Sequence, residues 1–203
     1  MQNNLYRFII IVTLSLCSCR TTPPKQLSSP DIPVVEFQTA DIVFRLGRTI
    51  ESDLIASSGN SATRYSHIGV IIYHNNAPMV MHIEPSPNKD NDTIKVESLH
   101  DFFNPNKSLA GCVTRIPNLT DKKRNKIEYN ALNMLNSSIT FDYNYLLSDS
   151  TTMYCTELIE HIFSTIDISL SQGRAHTLPF MQEPIILPSD IAQNPTLITI
   201  WRY

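Results

Sequence analysis

Two residues far apart in the chain have the types that acyl-transfer chemistry needs, a cysteine and a histidine. Cys155 falls at the first turn of the clearest helical pattern, where Cys155, Leu158, Ile159, Ile162, Phe163 and Ile166 form one apolar stripe. A thiolate at a helix start meets free backbone N–H groups and the positive end of the dipole, so the position is expected to lower the thiol pKa. The stripe also turns the side chain toward the protein body, as an anchored nucleophile requires. His67 begins an apolar strand and shares a face with Gly69 and Ile71. The missing side chain at Gly69 is expected to leave room for another element beside the ring. His82 and Glu84 share a face of the next strand, and either could bond the second ring nitrogen of His67, fixing its tautomer. The pattern does not choose between them.

Each residue also has a plainer role. A lone cysteine is most often a small core residue, and a histidine at a strand end is most often simply satisfied there. His67, His82 and Cys155 could instead ligate zinc. In an exported chain Cys112 and Cys155 could form a disulfide, although Cys112 lies in an apolar strand and reads as inert core. His74, His100, His161 and His176 sit in turns or polar surroundings and carry no expected role. Asp142, Tyr143, Asn144 and Tyr145 precede the helix and either line a cleft or form a solvated loop.

The elements that must position these residues are mixed. Strands are expected over 41–45, 67–73, 78–84, 93–96, 109–116 and 197–201, with helices over 48–58, 121–136 and from about 155 onward. Ile50, Leu54 and Ile55 mark the inner face of the first helix, and Ile127, Ala131, Met134 and Leu135 that of the second. A helical turn is expected over 98–103. Asn75-Asn76 makes the strands on either side a hairpin, and Thr151 or Thr152 can cap the nucleophile helix. Hairpins with few βαβ units make the class α+β.

The 203 residues suit one domain, and 13 prolines against 5 glycines suggest stiff connections. The net charge of -3 shows no basic stripe, which argues against a nucleic-acid partner. The N-terminus has Arg7, a short apolar run from Phe8 to Leu16, and then Cys17-Ser18-Cys19, too short for a comfortable transmembrane helix. It reads as a lipoprotein signal peptide over 1–19 with Cys19 as the lipidated residue. This makes the protein exported and anchored to the bacterial cell envelope through that lipid. Residues 20–33, rich in Pro and Ser, form an extended and poorly ordered tether, and the folded domain spans 34–203. Oligomeric state is open.

The strings Ala40-Asp41-Ile-Val-Phe-Arg45, Tyr65-Ser66-His67-Ile-Gly69-Val, Val80-Met-His82-Ile-Glu-Pro85, Phe141-Asp142 and Tyr154-Cys155-Thr156-Glu157-Leu158 together resemble the permuted NlpC-type papain-like hydrolases, in their YiiX-like branch. The same layout recurs in lecithin:retinol acyltransferase-type enzymes. The resemblance covers about 34–163. It implies an antiparallel sheet or small barrel packed against helices, with the histidine strand early and the nucleophile helix late. Carried over, Cys155 is the nucleophile, His67 the base and His82 the orienting residue, with Glu84 in reserve. The implied chemistry is amide or ester hydrolysis without cofactor or metal. The implied substrates are peptide amides of the envelope, such as peptidoglycan stems, or else lipid amides and esters. Ala40 departs from the glycine usual in the opening strand, and the tail after Ser171 matches nothing in the family.

Overall fold

The structure, a computed structural model, describes residues 28–33, 36–59, 62–86, 92–179 and 181–203. The apolar run with Cys17 and Cys19, most of the tether and the expected domain start at Val34 lie outside the described residues. The elements run β1 (Ile42–Gly47), α1 (Ile50–Ser58), β2 (His67–His74), β3 (Ala77–His82), β4 (Lys95–Ser98), α2 (Leu99–Phe102), β5 (Ser108–Arg115), α3 (Asp121–Leu135), β6 (Thr140–Phe141), β7 (Thr152–Met153), α4 (Cys155–Ser164), α5 (Pro188–Ala192) and β8 (Ile198–Arg202). Among the described residues no helix is long and apolar enough to cross a membrane.

Six strands form one antiparallel sheet in the order β4-β3-β2-β1-β5-β8. It stays open, with β4 and β8 as its edges, so of the two expected forms the sheet is found and the closed barrel is not. The β2–β3 hairpin turns at Asn75 and Asn76, both with positive φ (51° and 62°), as a tight type I′ connection requires. Asparagine tolerates that region better than most residues. The short β6 and β7 pair in parallel beside the sheet, inside what the sequence offers only as a polar loop.

Strand alternation divides the interior into two layers. Ile42 and Phe44 of β1, Ile68, Val70 and Ile72 of β2, and Met81 of β3 point to the face covered by α3 and α4, where they meet Ile127, Leu158, Ile159, Ile162 and Phe163. Val43, Ile71, Val80 and Val113 point to the other face, under Leu99, Phe102 and Phe103. The expected stripe on α4 is therefore a true inner face. Its cap differs from expectation: Tyr154 is the N-cap, and the Glu157 carboxylate accepts from the Tyr154 N–H at 3.4 Å. Thr151 and Thr152 instead turn their hydroxyls to Asp149.

Two further expectations change. In α1, Ile50 and Leu54 are 86% and 67% exposed, and only Ile55 and Ala56 turn inward. The helix starts at Ile50 behind the Thr49 cap, which sets its short inner face later in the chain. The end of the tether is docked rather than loose: Ile32 is buried against the second layer and the Asp31 carbonyl accepts from the Trp201 indole at 3.0 Å. Ala40, where family members carry glycine, has φ 72° and is fully buried. The left-handed backbone there explains why glycine suits the position.

Candidate active site

His67 and His82 reach each other through strand pairing. Val70 pairs with Met81, and the same register carried to the strand ends brings the His67 and His82 side chains onto one face. There His67 Nε2 lies 2.8 Å from His82 Nδ1, buried, with the rings nearly perpendicular. Glu84 Oε2 stands 3.9 Å from His67 Nε2, beyond hydrogen-bond reach. Of the two candidates that the pattern left open, His82 makes the contact. Glu84 is held by Arg45 and, at 2.7 Å, by Lys95.

Alternation places four more charged residues on this face at the same end of the sheet: Arg45 opposite His67 on β1, Glu84 beyond β3, and Lys95 and Glu97 on β4. Arg45 is the hub. It pairs with Glu84 and Glu97, donates to the Phe102 carbonyl at 3.1 Å, and sits 4.5 Å over the Phe102 ring. That ring also stacks on His67 and meets His82 edge-on. Glu97 Oε1 faces His82 Nε2 at 3.1 Å, an ion-pair distance without the alignment of a full hydrogen bond, and Lys107 closes its other oxygen at 3.2 Å.

Cys155 approaches from the opposite layer. It is the first residue of α4, half-buried, and the N–H groups of Ile68, Thr156 and Cys155 itself face its sulfur. Cys155 and His67 border one cleft of about 810 Å³, whose walls also include Ile55, Tyr143, Tyr145 and Tyr154. With His67 Nε2 engaged by His82, Nδ1 is the other ring nitrogen of His67.

Burial decides the charge states. It pushes the Cys155 thiol up to about 11, although the surrounding N–H groups and Arg45 pull the other way. The expected low-pKa thiolate is therefore absent; withdrawal from water outweighs the helix start. Burial first, then Arg45 and His82, hold His67 well below the ordinary histidine range. His82 is also lowered by burial, against the pull of Glu97 and Glu84. The resting pair is thiol and neutral imidazole, an arrangement suited to general-base transfer as substrate arrives.

Several expected features fall elsewhere. Gly69 does not make room beside the histidine: a Cβ there would meet Val80 Cγ1 at 2.6 Å and the Met81 carbonyl at 3.0 Å, so its space belongs to sheet packing. Cys112 and Cys155 are separate free thiols, the first buried in β5 near the Tyr65 hydroxyl and the second in the cleft. Among the described residues, the donor atoms close enough to share a metal are those of His67, His82 and Glu84, not Cys155. Asp142 is buried and binds the Asn144 and Leu146 N–H groups at 2.7 and 2.5 Å, shaping the turn that presents Tyr143 and Tyr145 to the cleft. His74, His100 and His161 are exposed, and His176 pairs with Asp190 at 2.7 Å.

Residues from the tail also build the site. Ile185 to Pro188 wall the cleft, the Thr156 hydroxyl donates to the Ile186 carbonyl at 2.6 Å, and the Ile186 N–H donates to the Tyr154 hydroxyl at 3.1 Å. These bonds fix the tail against the start of α4. Only the Pro-Ile-Ile-Leu-Pro string in an otherwise polar stretch hints at this.

No curated protein matches the chain. Among solved structures, the crystal structure described as metalloprotein yiiX from Escherichia coli O157:H7 is similar, with a TM-score of 0.66 and 19% identity over 82% of this chain and 97% of that one. The similarity shows a shared fold. The model of the permuted papain-like amidase family YaeF/YiiX, C92, matches residues 36–201. That span holds every strand and helix described above except the last residue of β8, and with it the chain belongs to the permuted papain-like amidases.

Proposed function

We propose that this chain is a cysteine amidase in which Cys155 attacks a carbonyl, His67 moves the proton and His82 orients His67. The observation that carries the proposal is the buried 2.8 Å contact between His67 and His82, beside a cleft that also takes Cys155 from the start of α4. The base is held through one nitrogen and presents the other. His67 Nδ1 takes the thiol proton as sulfur bonds to the carbonyl carbon, then returns it to the leaving group. Water repeats the cycle to free the acyl group. The oxyanion needs preorganised donors, and the Cys155 N–H at the helix start is one candidate.

Family membership supports amides as the bond class, and envelope peptides such as peptidoglycan stems are the substrates we favour. Lipid amides or esters are the second reading, favoured by the aromatic and aliphatic walls at Ile55, Tyr145, Tyr154 and Ile185. A panel of muropeptides and lipid amides separates the two. We also infer export and anchoring through a lipid on Cys19, supported by the apolar run and its Ser-Cys end. Labelling with a fatty-acid analogue should mark the wild-type chain and not Cys19→Ala.

The protein yiiX is described as a metalloprotein, so a metal deserves a separate test. His67, His82 and Glu84 offer donors, but Glu84 already carries Arg45 and Lys95, and a divalent ion there would sit against two cations. The donor set fits a metal poorly, and elemental analysis is expected to find less than one equivalent. For the hydrolase, a thiol-reactive amidase probe followed by mass spectrometry should label Cys155. Labelling confined to Cys112, or turnover surviving in Cys155→Ala, would refute the assignment.

A further inference from the structure

Glu97 has no part in the expected triad, yet it faces the buried ring nitrogen of the histidine pair that lacks an aligned hydrogen-bond partner among the described residues. His82 is fully buried, and its Nε2 has no aligned hydrogen-bond partner. The group in front of it is Glu97 Oε1 at 3.1 Å. Arg45 at 3.4 Å and Lys107 at 3.2 Å face the same carboxylate, and His82 and Lys107 hold it down to about 2 against its burial, so it stays an anion.

An ionised carboxylate only accepts hydrogen bonds, so the ring nitrogen facing it must carry the proton. A neutral imidazole has one N–H. If His82 carries it on Nε2, then Nδ1 is a lone pair, and His67 must supply the proton for the 2.8 Å contact from its own Nε2. His67 Nδ1 is then a lone pair as well, which is the form a base for Cys155 needs. With the proton order reversed, His82 would donate from Nδ1 to His67 Nε2, and His67 would turn an N–H toward the thiol and could not take a proton.

We propose that Glu97 is a positioning residue that sets the tautomers of both histidines in series, from the sheet edge at β4 to the cleft. The catalytic half of this rests on the hydrolase reading above; the tautomer half does not. Arg45, the Phe102 ring and Lys107 hold the carboxylate and rings in register, so the device spans four strands and α2.

The test uses the full chain labelled with ¹⁵N-histidine and long-range ¹H–¹⁵N correlation spectra, which distinguish protonated from bare ring nitrogens without any substrate. Wild type at neutral pH is expected to show Nε2–H on both His67 and His82. Glu97→Gln can offer its amide N–H to His82 Nε2, and is expected to move both rings toward Nδ1–H. It should also lower kcat by about 10–100-fold with KM little changed, the usual range for a group that orients a functional histidine from behind. Glu97→Leu removes the acceptor and should leave each ring in a mixture. If that variant does not fold, the wild-type and Gln spectra still decide. Wild-type His82 protonated on Nδ1, unchanged spectra in Glu97→Gln, or changed spectra with full kcat would each overturn the proposal. If no amide substrate is turned over by wild type, the hydrolase reading fails by itself and the spectra still judge the tautomers.

Discussion

The proposed nucleophile and its proposed base come from opposite faces of one sheet, and the two faces are made of different material. On the Cys155 side, α4 lays Leu158, Ile159, Ile162 and Phe163 onto Ile68, Val70 and Ile72, an apolar contact that leaves the thiol dry and neutral. On the His67 side, the strand ends gather Arg45, His82, Glu84, Lys95 and Glu97 under a single aromatic ring, Phe102. The first face positions by packing, which is non-directional and tolerant of one lost atom. The second positions by charge and hydrogen bonds, where each group compensates another and the loss of one strands its partners. Chemistry and stability should therefore separate in opposite ways on the two faces.

The largest separation is expected at Cys155. Cys155→Ala should abolish amide turnover while the melting temperature stays close to wild type, because the sulfur contributes little packing at a half-buried position. A melting temperature that collapses with the activity would show that the thiol is structural and would erase the contrast between the faces. On the other side, Arg45→Met should cost stability first. It keeps the stem over Phe102 but leaves the more exposed Lys95 and Lys107 as the cations that pair with Glu84 and Glu97. Breaking a buried pair by removing one partner typically costs about 3–5 kcal/mol, and urea unfolding should show the loss as a lower midpoint with an unchanged slope. A midpoint equal to wild type would mean that the network is a solvated surface feature.

These two faces were not equally legible in the sequence. The apolar one was written in periodicity: the α4 stripe and the β-branched run from Ile68 to Ile72 each carry their spacing in the chain, so helix, strand and packing face could be read directly. Cys155 and His67 each open their element, but position alone leaves the plain core and strand-end readings ahead, and only the resemblance around Ser66-His67 and Tyr154-Cys155 singles them out. The charged face depends on register, which brings Arg45 opposite His67 and Lys95 opposite His82 across four strands. Lys95-Val96-Glu97 looks like any half-exposed strand until it is paired. The tail was opaque for another reason. Ile185 to Leu187 have neither helical nor strand period, because they are held by two side chains of the α4 start, Tyr154 and Thr156, rather than by regular structure. The thiol pKa is not legible in the sequence, because a helix start can be seen there and the depth of burial cannot.

That last point gives the next test of the dry face. With the thiol pushed up to about 11, the rate of Cys155 alkylation by iodoacetamide in free enzyme should climb through the alkaline range. At pH 7 it should run about 100-fold slower than an ordinary exposed thiol, since each pKa unit is a tenfold change in thiolate. Mass spectrometry reads Cys155 and the buried Cys112 separately. A rate that reaches its plateau below pH 8 would instead indicate a thiolate–imidazolium pair, and would place charge on the face argued here to be neutral.

The smallest expected effect concerns a buried acid at the start of α4. Glu157 is buried at the first turn of α4, and burial, with Asp142, Asp149 and Glu183 nearby, raises its carboxyl to about 7 despite the bond from the Tyr154 N–H. A group whose folded pKa lies above its unfolded value stabilises through its protonated form. That contribution is complete below the unfolded value of 4.5 and is lost as pH rises through about 7. The charge network works in the other direction, since His67, His82 and Glu97 are all lowered and cost stability as pH falls. Glu157→Gln keeps an oxygen for the Tyr154 N–H and cannot ionise. It should match wild type near pH 5 and exceed it by about 1 kcal/mol at pH 8, a discounted share of the roughly 1.4 kcal/mol that each pKa unit represents. Melting both proteins across that range isolates Glu157, because the network titrates equally in the two. A gap that stays constant with pH would mean that Glu157 is ionised in the fold, and that the start of the nucleophile helix is wetter than its packing implies.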